Sequence, residues 1–138
     1  MMEPHRSFRD SELLVISTDE QSAARSYASG LASLLGSSVD AEPHLRHAVA
    51  VDAQFALAWI ALAIATGARG DEAECSACAD RAAANLAGST RRERQHIEVI
   101  RMLLAGDLRR AAVLGREHLR EYPADALIAH VLASGGAI

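Results

Sequence analysis

Residues 55–71 read Phe55-Ala-Leu-Ala-Trp-Ile-Ala-Leu-Ala-Ile-Ala-Thr-Gly-Ala-Arg-Gly-Asp71. From about Gln54 to Ala68 the chain is apolar nearly all round, so a helix formed here must be enclosed by neighbours. Arg69-Gly70-Asp71 then reads as a turn. The glycine supplies the left-handed geometry of a helix end, and the aspartate caps the helix that follows. That fourth helix, Glu72 to about Leu86, is rich in Ala and other small residues, which let helices approach closely. Gly88-Ser89 ends it. The same Gly-Asp turn returns at Gly106-Asp107, again between two helical stretches of about fifteen residues, so the chain repeats itself.

Working outward from there, Thr90 and Glu93 have the spacing of a capping box, opening a fifth helix that carries Ile97, Ile100, Leu103 and Leu104. A sixth uses Leu108, Ala111, Ala112, Leu114 and Leu119 and stops at Pro123; Asp125 caps a seventh, Ala126 to about Ser134. Toward the N-terminus, Thr18 and Gln21 share the capping-box spacing. Ala24, Tyr27, Ala28, Leu31, Leu34 and Leu35 recur at three and four, one face of a helix halted by Gly36-Ser37-Ser38. Asp40 caps a second helix whose first turn admits Pro43, with Leu45, Ala48, Val49 and Val51 on its apolar face and Asp52-Ala53 as its break. Residues 1–17 lack a period and read as an extended leader, and no segment reads as a convincing strand. Because every connection is short, successive helices run antiparallel. The expected fold is all-α: about seven helices, paired as antiparallel hairpins and stacked as a short α-solenoid. One domain spans 18–138, divided into a degenerate pair (18–53), two repeats (54–88 and 90–123) and a truncated repeat helix (124–138).

Composition narrows the function. Half of the 138 residues are hydrophobic, enough for one core and too many for a disordered chain. All 14 basic residues are Arg, and the formal charge of −4 lacks the basic excess that phosphate backbones demand, which argues against nucleic acid. Two cysteines are too few for a stapled secreted scaffold. Leu13 to Ile16 is too short for a secretory core, and Phe55 to Ala65 falls short of the ~20 residues that cross a bilayer. No membrane partner and a cytoplasmic setting are expected.

The period and motifs resemble the tetratricopeptide repeat family. Trp59-x-x-Leu62-Ala63 matches the opening Trp-x-x-Leu-Gly with Ala for Gly. The second half of the motif recurs as Cys75…Ala79…Ala82 and as Ala111…Gly115…His118…Pro123. Thr66 stands where the pattern has Tyr, and Gln95 and Glu98 replace Trp and Leu in the next unit. The succession His47–Asp52, Ala68–Asp71, Arg92-Glu-Arg-Gln-His96, Leu104–Asp107 and Glu117–Asp125 is also similar to the N-terminal part of tetratricopeptide repeat protein 38-like chains, over roughly residues 18–133. Those chains are considerably longer. The resemblance implies an α-solenoid and little about activity.

In such arrays the first helix of each pair lines a concave face. Projected onto this sequence, that face holds Leu57, Ile60, Ile64, Glu93, His96, Ile100, Leu103, Leu127 and His130. The expectation is an apolar groove with two imidazoles, suited to an apolar helix or peptide segment of another protein. Ile60 and Ile64 stand where peptide-terminus clamps of the family carry Lys, Arg or Asn. The seventh helix is almost without polarity, so Leu127, Ile128, Val131 and Leu132 are expected to dock on a second copy, giving a homodimer. The function expected is a non-catalytic interaction or scaffold module. The alternative is an accessory or enzyme subunit holding a small apolar ligand in the groove, with His96 and His130 as polar handles.

Candidate chemistry is sparse. Cys75-Ser-Ala-Cys78 has the spacing of a redox or metal pair, but it lies mid-helix without a βαβ context, so core filling is expected. A zinc site there would need a second pair. His44 and His47, three apart on a helix, could share a metal, but the third ligand would have to come from distant His96, His118 or His130 with no compelling motif, so solvated or hydrogen-bonded histidines are expected. His96 and Glu93 could form a local acid–base pair but read better as a helix-face pair. Arg91, Arg92 and Arg94 form a basic run at a helix start, where the dipole disfavours them. That placement suits either a carboxylate or phosphate contact or a solvated face. No catalytic residue, metal or cofactor is assigned.

Overall fold

Enclosure of the apolar 55–68 segment organises the whole molecule. The structure, a computed structural model, describes residues 8–9, 15–36 and 40–134. Seven helices follow in order: α1 Gln21–Leu35, α2 Ala41–Val51, α3 Ala56–Ala68, α4 Glu72–Ala84, α5 Arg91–Leu104, α6 Leu108–Glu121 and α7 Ala126–Ala133. Two-residue strands, β1 Phe8–Arg9 and β2 Val15–Ile16, pair antiparallel with Phe8 opposite Ile16. The expectation of no strand is corrected by this short pair, which the described part of the leader forms. The all-α class is as expected.

The helices pack as hairpins, α1 on α2, α3 on α4 and α5 on α6, with α7 against α6. The first helices of successive pairs, α1, α3, α5 and α7, form an inner row, and this row curls until α1 meets α7. The core is one continuous cluster from Ile16 to Val131, with α3 at its centre, where Leu57, Ile60, Leu62 and Ile64 are all buried. Each such side chain contributes roughly 1.5–3 kcal/mol by leaving water. Tyr27 of α1 lies against Phe55 at the start of α3, with ring centroids 5.2 Å apart.

Several punctuation marks act as the sequence suggests. Gly70 and Gly106 adopt φ of 90° and 84°, a conformation that a side chain resists and that lets each helix end turn sharply. The Asp71 carboxylate accepts from the Glu74 N–H at 3.0 Å, and Thr90 with Glu93 forms a full capping box. Others do not. Thr18 and Gln21 make no box, because α1 starts at Gln21 and Thr18 instead donates its hydroxyl to Asp52 at 2.6 Å. Asp40 and Asp107 sit at the N-caps without a side-chain capping bond. The Ser37-Ser38 stop lies outside the described residues.

Small residues set the hairpin spacing. A Cβ on Gly30 would come within 2.6 Å of Leu45 Cγ and Cδ2 across the α1–α2 contact, and one on Gly115 within 2.7 Å of Leu132 Cδ1 across α6–α7. Gly30→Ala is expected to force the two helices apart and to cost about 1–3 kcal/mol. Urea denaturation reads this as a lower midpoint at unchanged slope. A variant as stable as the parent would show that the α1–α2 spacing is not fixed by this contact.

Candidate functional site

The inner face is not an open groove. Leu57, Ile60, Ile64, Glu93, His96, Ile100, Leu103 and Leu127 are all buried, and of the residues assigned to that face only His130 is exposed. The curl of the inner row closes one side. The end of the leader sits there too: Ile16 is wholly buried in the core, and Ser17 reaches α5. The Ser17 N–H donates to Glu93 Oε2 at 2.8 Å and its hydroxyl to Glu93 Oε1 at 2.6 Å. The expected self-docking patch is corrected too. Leu127, Ile128 and Val131 are buried within the chain, and Leu132 is half-buried against Gly115. An apolar α7 needs no second copy to cover it, because α1, α5 and α6 already do.

Beneath this closed face lies the one concentration of buried charge that the described residues show. Arg92 and His96, four apart, project from the same side of α5. His118 comes from α6, and Asp125 from the turn ahead of α7. They are 6%, 1%, 2% and 2% exposed. His96 Nδ1 and His118 Nε2 approach Asp125 Oδ2 at 2.9 and 2.7 Å, and Arg92 Nη1 stands 3.4 Å from the same oxygen. The other carboxylate oxygen caps α7 by accepting from the Ile128 N–H. Burial pushes the Asp125 carboxyl up, but the charge of His96, the hydrogen bonds from His118 and His96 and the Arg92 guanidinium prevail. They hold it far below the usual carboxylate range. His118 Nδ1 pairs with Gln95 Oε1 at 2.8 Å, whereas His96 Nε2 is buried without a partner.

This arrangement ties α5, α6 and the α7 cap together. Its three ligand-type side chains, His96, His118 and Asp125, place one donor atom each within 4.8 Å of one another. Sequence reasoning singled out His96 for the groove and Asp125 as a cap, and it missed Arg92 and His118 as their partners. The Arg92–His96 spacing of four was the available signal. His96 and Glu93 are not a pair, since Glu93 serves Thr90 and Ser17. Of the basic run, Arg92 is an internal ion-pair partner, Arg91 binds Glu121 at 2.9 Å and Arg94 is exposed. His44 and His47 are exposed and remote from the cluster, with His47 Nε2 3.0 Å from the Ser22 hydroxyl.

Cys75 is half-buried and Cys78 buried, both as free thiols. Burial pushes both up, Cys78 to about 11. A thiol so raised is a poor nucleophile, as core filling requires. In the native protein Cys78 is expected to resist a disulfide reagent at pH 8, with both thiols titrating after unfolding in guanidinium. Rapid native labelling of Cys78 would contradict its packing. A cleft of about 520 Å³ opens beside Cys75 between the α3–α4 hairpin and the end of α5, with Ile64, Ala79, Leu103 and Leu104 in its walls. Compared with protein families, with curated proteins and with solved structures, the chain has no match in any of the three. Among the described residues no helix is long and apolar enough to cross a membrane.

Proposed function

We propose that this protein is a non-catalytic interaction or scaffold module of the tetratricopeptide-repeat kind, working in the cytoplasm. Its inner face takes an apolar segment of a partner protein. The observation that carries the reading is the seating of residues 16–18. An extended stretch of chain already lies there, its Ile16 side chain in the core, with its Ser17 N–H and hydroxyl on one carboxylate. Backbone donation to a fixed acceptor plus a pocket for one apolar side chain is how many domains read extended peptides. A partner segment would compete with the leader for Glu93. The small-ligand alternative moves from the inner face to the cleft of about 520 Å³ beside Cys75. Self-association through α7 is not part of the proposal.

The test uses a fluorescent peptide of residues 8–20 and the full chain carrying Ser17→Asp, which sets a second carboxylate against Glu93 and expels the leader. Circular dichroism establishes that the variant remains helical. Saturable binding to the variant, with at least tenfold weaker binding to the parent and none of a scrambled peptide, supports the proposal. A folded variant that ignores the peptide overturns it. Should the variant unfold, excess peptide must instead accelerate amide exchange at Ser17 in the parent chain, and unchanged exchange then counts equally against the reading.

A further inference from the structure

The network around Asp125 contains a contact that a neutral imidazole beside an ionised carboxylate does not explain. Gln95 turns its side-chain oxygen toward His118 Nδ1, at 2.8 Å. An amide oxygen only accepts, so Nδ1 carries the hydrogen. A neutral imidazole then presents the bare lone pair of Nε2 to Asp125 Oδ2, 2.7 Å away. Two lone pairs at that distance repel, and a positive charge must lie between them. His96 Nδ1 faces the same oxygen at 2.9 Å, so three atoms of metal-ligand type lie within 4.8 Å of one another.

We propose that His96, His118 and Asp125 form a site for a divalent transition-metal ion of the zinc type, locking α5, α6 and the start of α7. Two imidazoles and one carboxylate are a donor set that suits zinc and leaves a fourth position for water. The outer contacts fit. Gln95 orients His118, while Arg92 and the Ile128 N–H hold Asp125, as the supporting partners of metal ligands commonly do. Bonds of about 2.0–2.1 Å put tetrahedral donors about 3.3 Å apart, so the ligands must spread by about half an ångström. His118 can give way because it walls a cleft of about 290 Å³ between α5 and α6. That cleft is also the way in; three carboxylates, Glu98, Glu117 and Glu121, line it against one cation, Arg91. The proposal goes beyond the interaction role and does not depend on it.

The competing occupant is a proton, which would make His118 an imidazolium in the same geometry. Chelator-treated protein is titrated separately with cobalt(II) and zinc(II). Expected are one equivalent bound per chain, a cobalt d–d spectrum of four-coordinate type and a higher melting temperature with zinc. His118→Ala should abolish uptake, and Gln95→Ala should weaken it by about 10–100-fold. His44→Ala with His47→Ala should leave it unchanged. Should His118→Ala not fold, His118→Gln and Gln95→Ala carry the comparison. The site is overturned if the folded chain takes up no stoichiometric cobalt or zinc. It is equally overturned if uptake vanishes with His44 and His47, or if nitrogen-15 spectra show hydrogens on both His118 nitrogens in equimolar zinc.

Discussion

Asp125→Ala, measured in metal-free protein, is expected to lower stability by about 3–5 kcal/mol, the range for removing one partner from a buried charge network. The carboxylate is the common acceptor for His96, His118 and Arg92, all of them buried. Its loss takes the shared acceptor away from a buried guanidinium and two buried imidazoles and removes the cap of α7. Asp125→Asn keeps the shape and part of the capping but not the charge, so its cost should be smaller. Amide exchange should be fastest in α7, whose attachment depends most on this residue. Acid titration gives an independent check. The folded carboxyl lies far below its unfolded value of about 4, so its stabilisation is complete above about pH 5 and drains away as the pH falls. The acid limb of the stability curve should therefore be flatter in the variants than in the parent. A loss under about 1 kcal/mol with an unchanged acid limb would mean that the network does not hold the helices together.

The helices were legible because their signals are local. Gly70 and Gly106 announce their turns through backbone sterics, Thr90 and Glu93 lie three apart, and the 55–68 segment has no polar face to offer solvent. What sequence could not show is how far the inner row curls. That depends on side-chain volumes such as Gly30 against Leu45 and Gly115 against Leu132, which no periodicity encodes. The projection of Leu57, Ile60, Ile64 and Ile100 onto one inner face is in keeping with their shared burial, yet the face turned out filled. The same curl brings His118 and Asp125 to His96 from 22 and 29 residues away. Helical spacing on α5 pairs Arg92 with His96, but the other two partners arrive only through tertiary packing. Thr18 illustrates the reverse error. Its capping-box spacing is genuine, but α1 starts only at Gln21, so the Thr18 hydroxyl accepts from the Glu20 N–H and donates to the distant Asp52.

Glu93→Ala should have the second large effect, about 2–4 kcal/mol, because one buried carboxylate performs two separable tasks. It accepts the Thr90 N–H at 2.8 Å and so completes the cap of α5, a contribution of about 1 kcal/mol. It also accepts the N–H and hydroxyl of Ser17, and a buried donor left without an acceptor costs about 1–3 kcal/mol. Ser17→Ala removes only the hydroxyl bond and should cost about 1 kcal/mol. The two tasks come apart in a double-mutant cycle. If the leader is seated by Glu93, Ser17→Ala should cost little once Glu93 is already Ala, and the amide of Ser17 should exchange fast in both backgrounds. If the costs simply add, Glu93 acts on α5 alone, residues 15–18 are held by Ile16 and Thr18, and a partner segment would gain nothing by competing for this carboxylate.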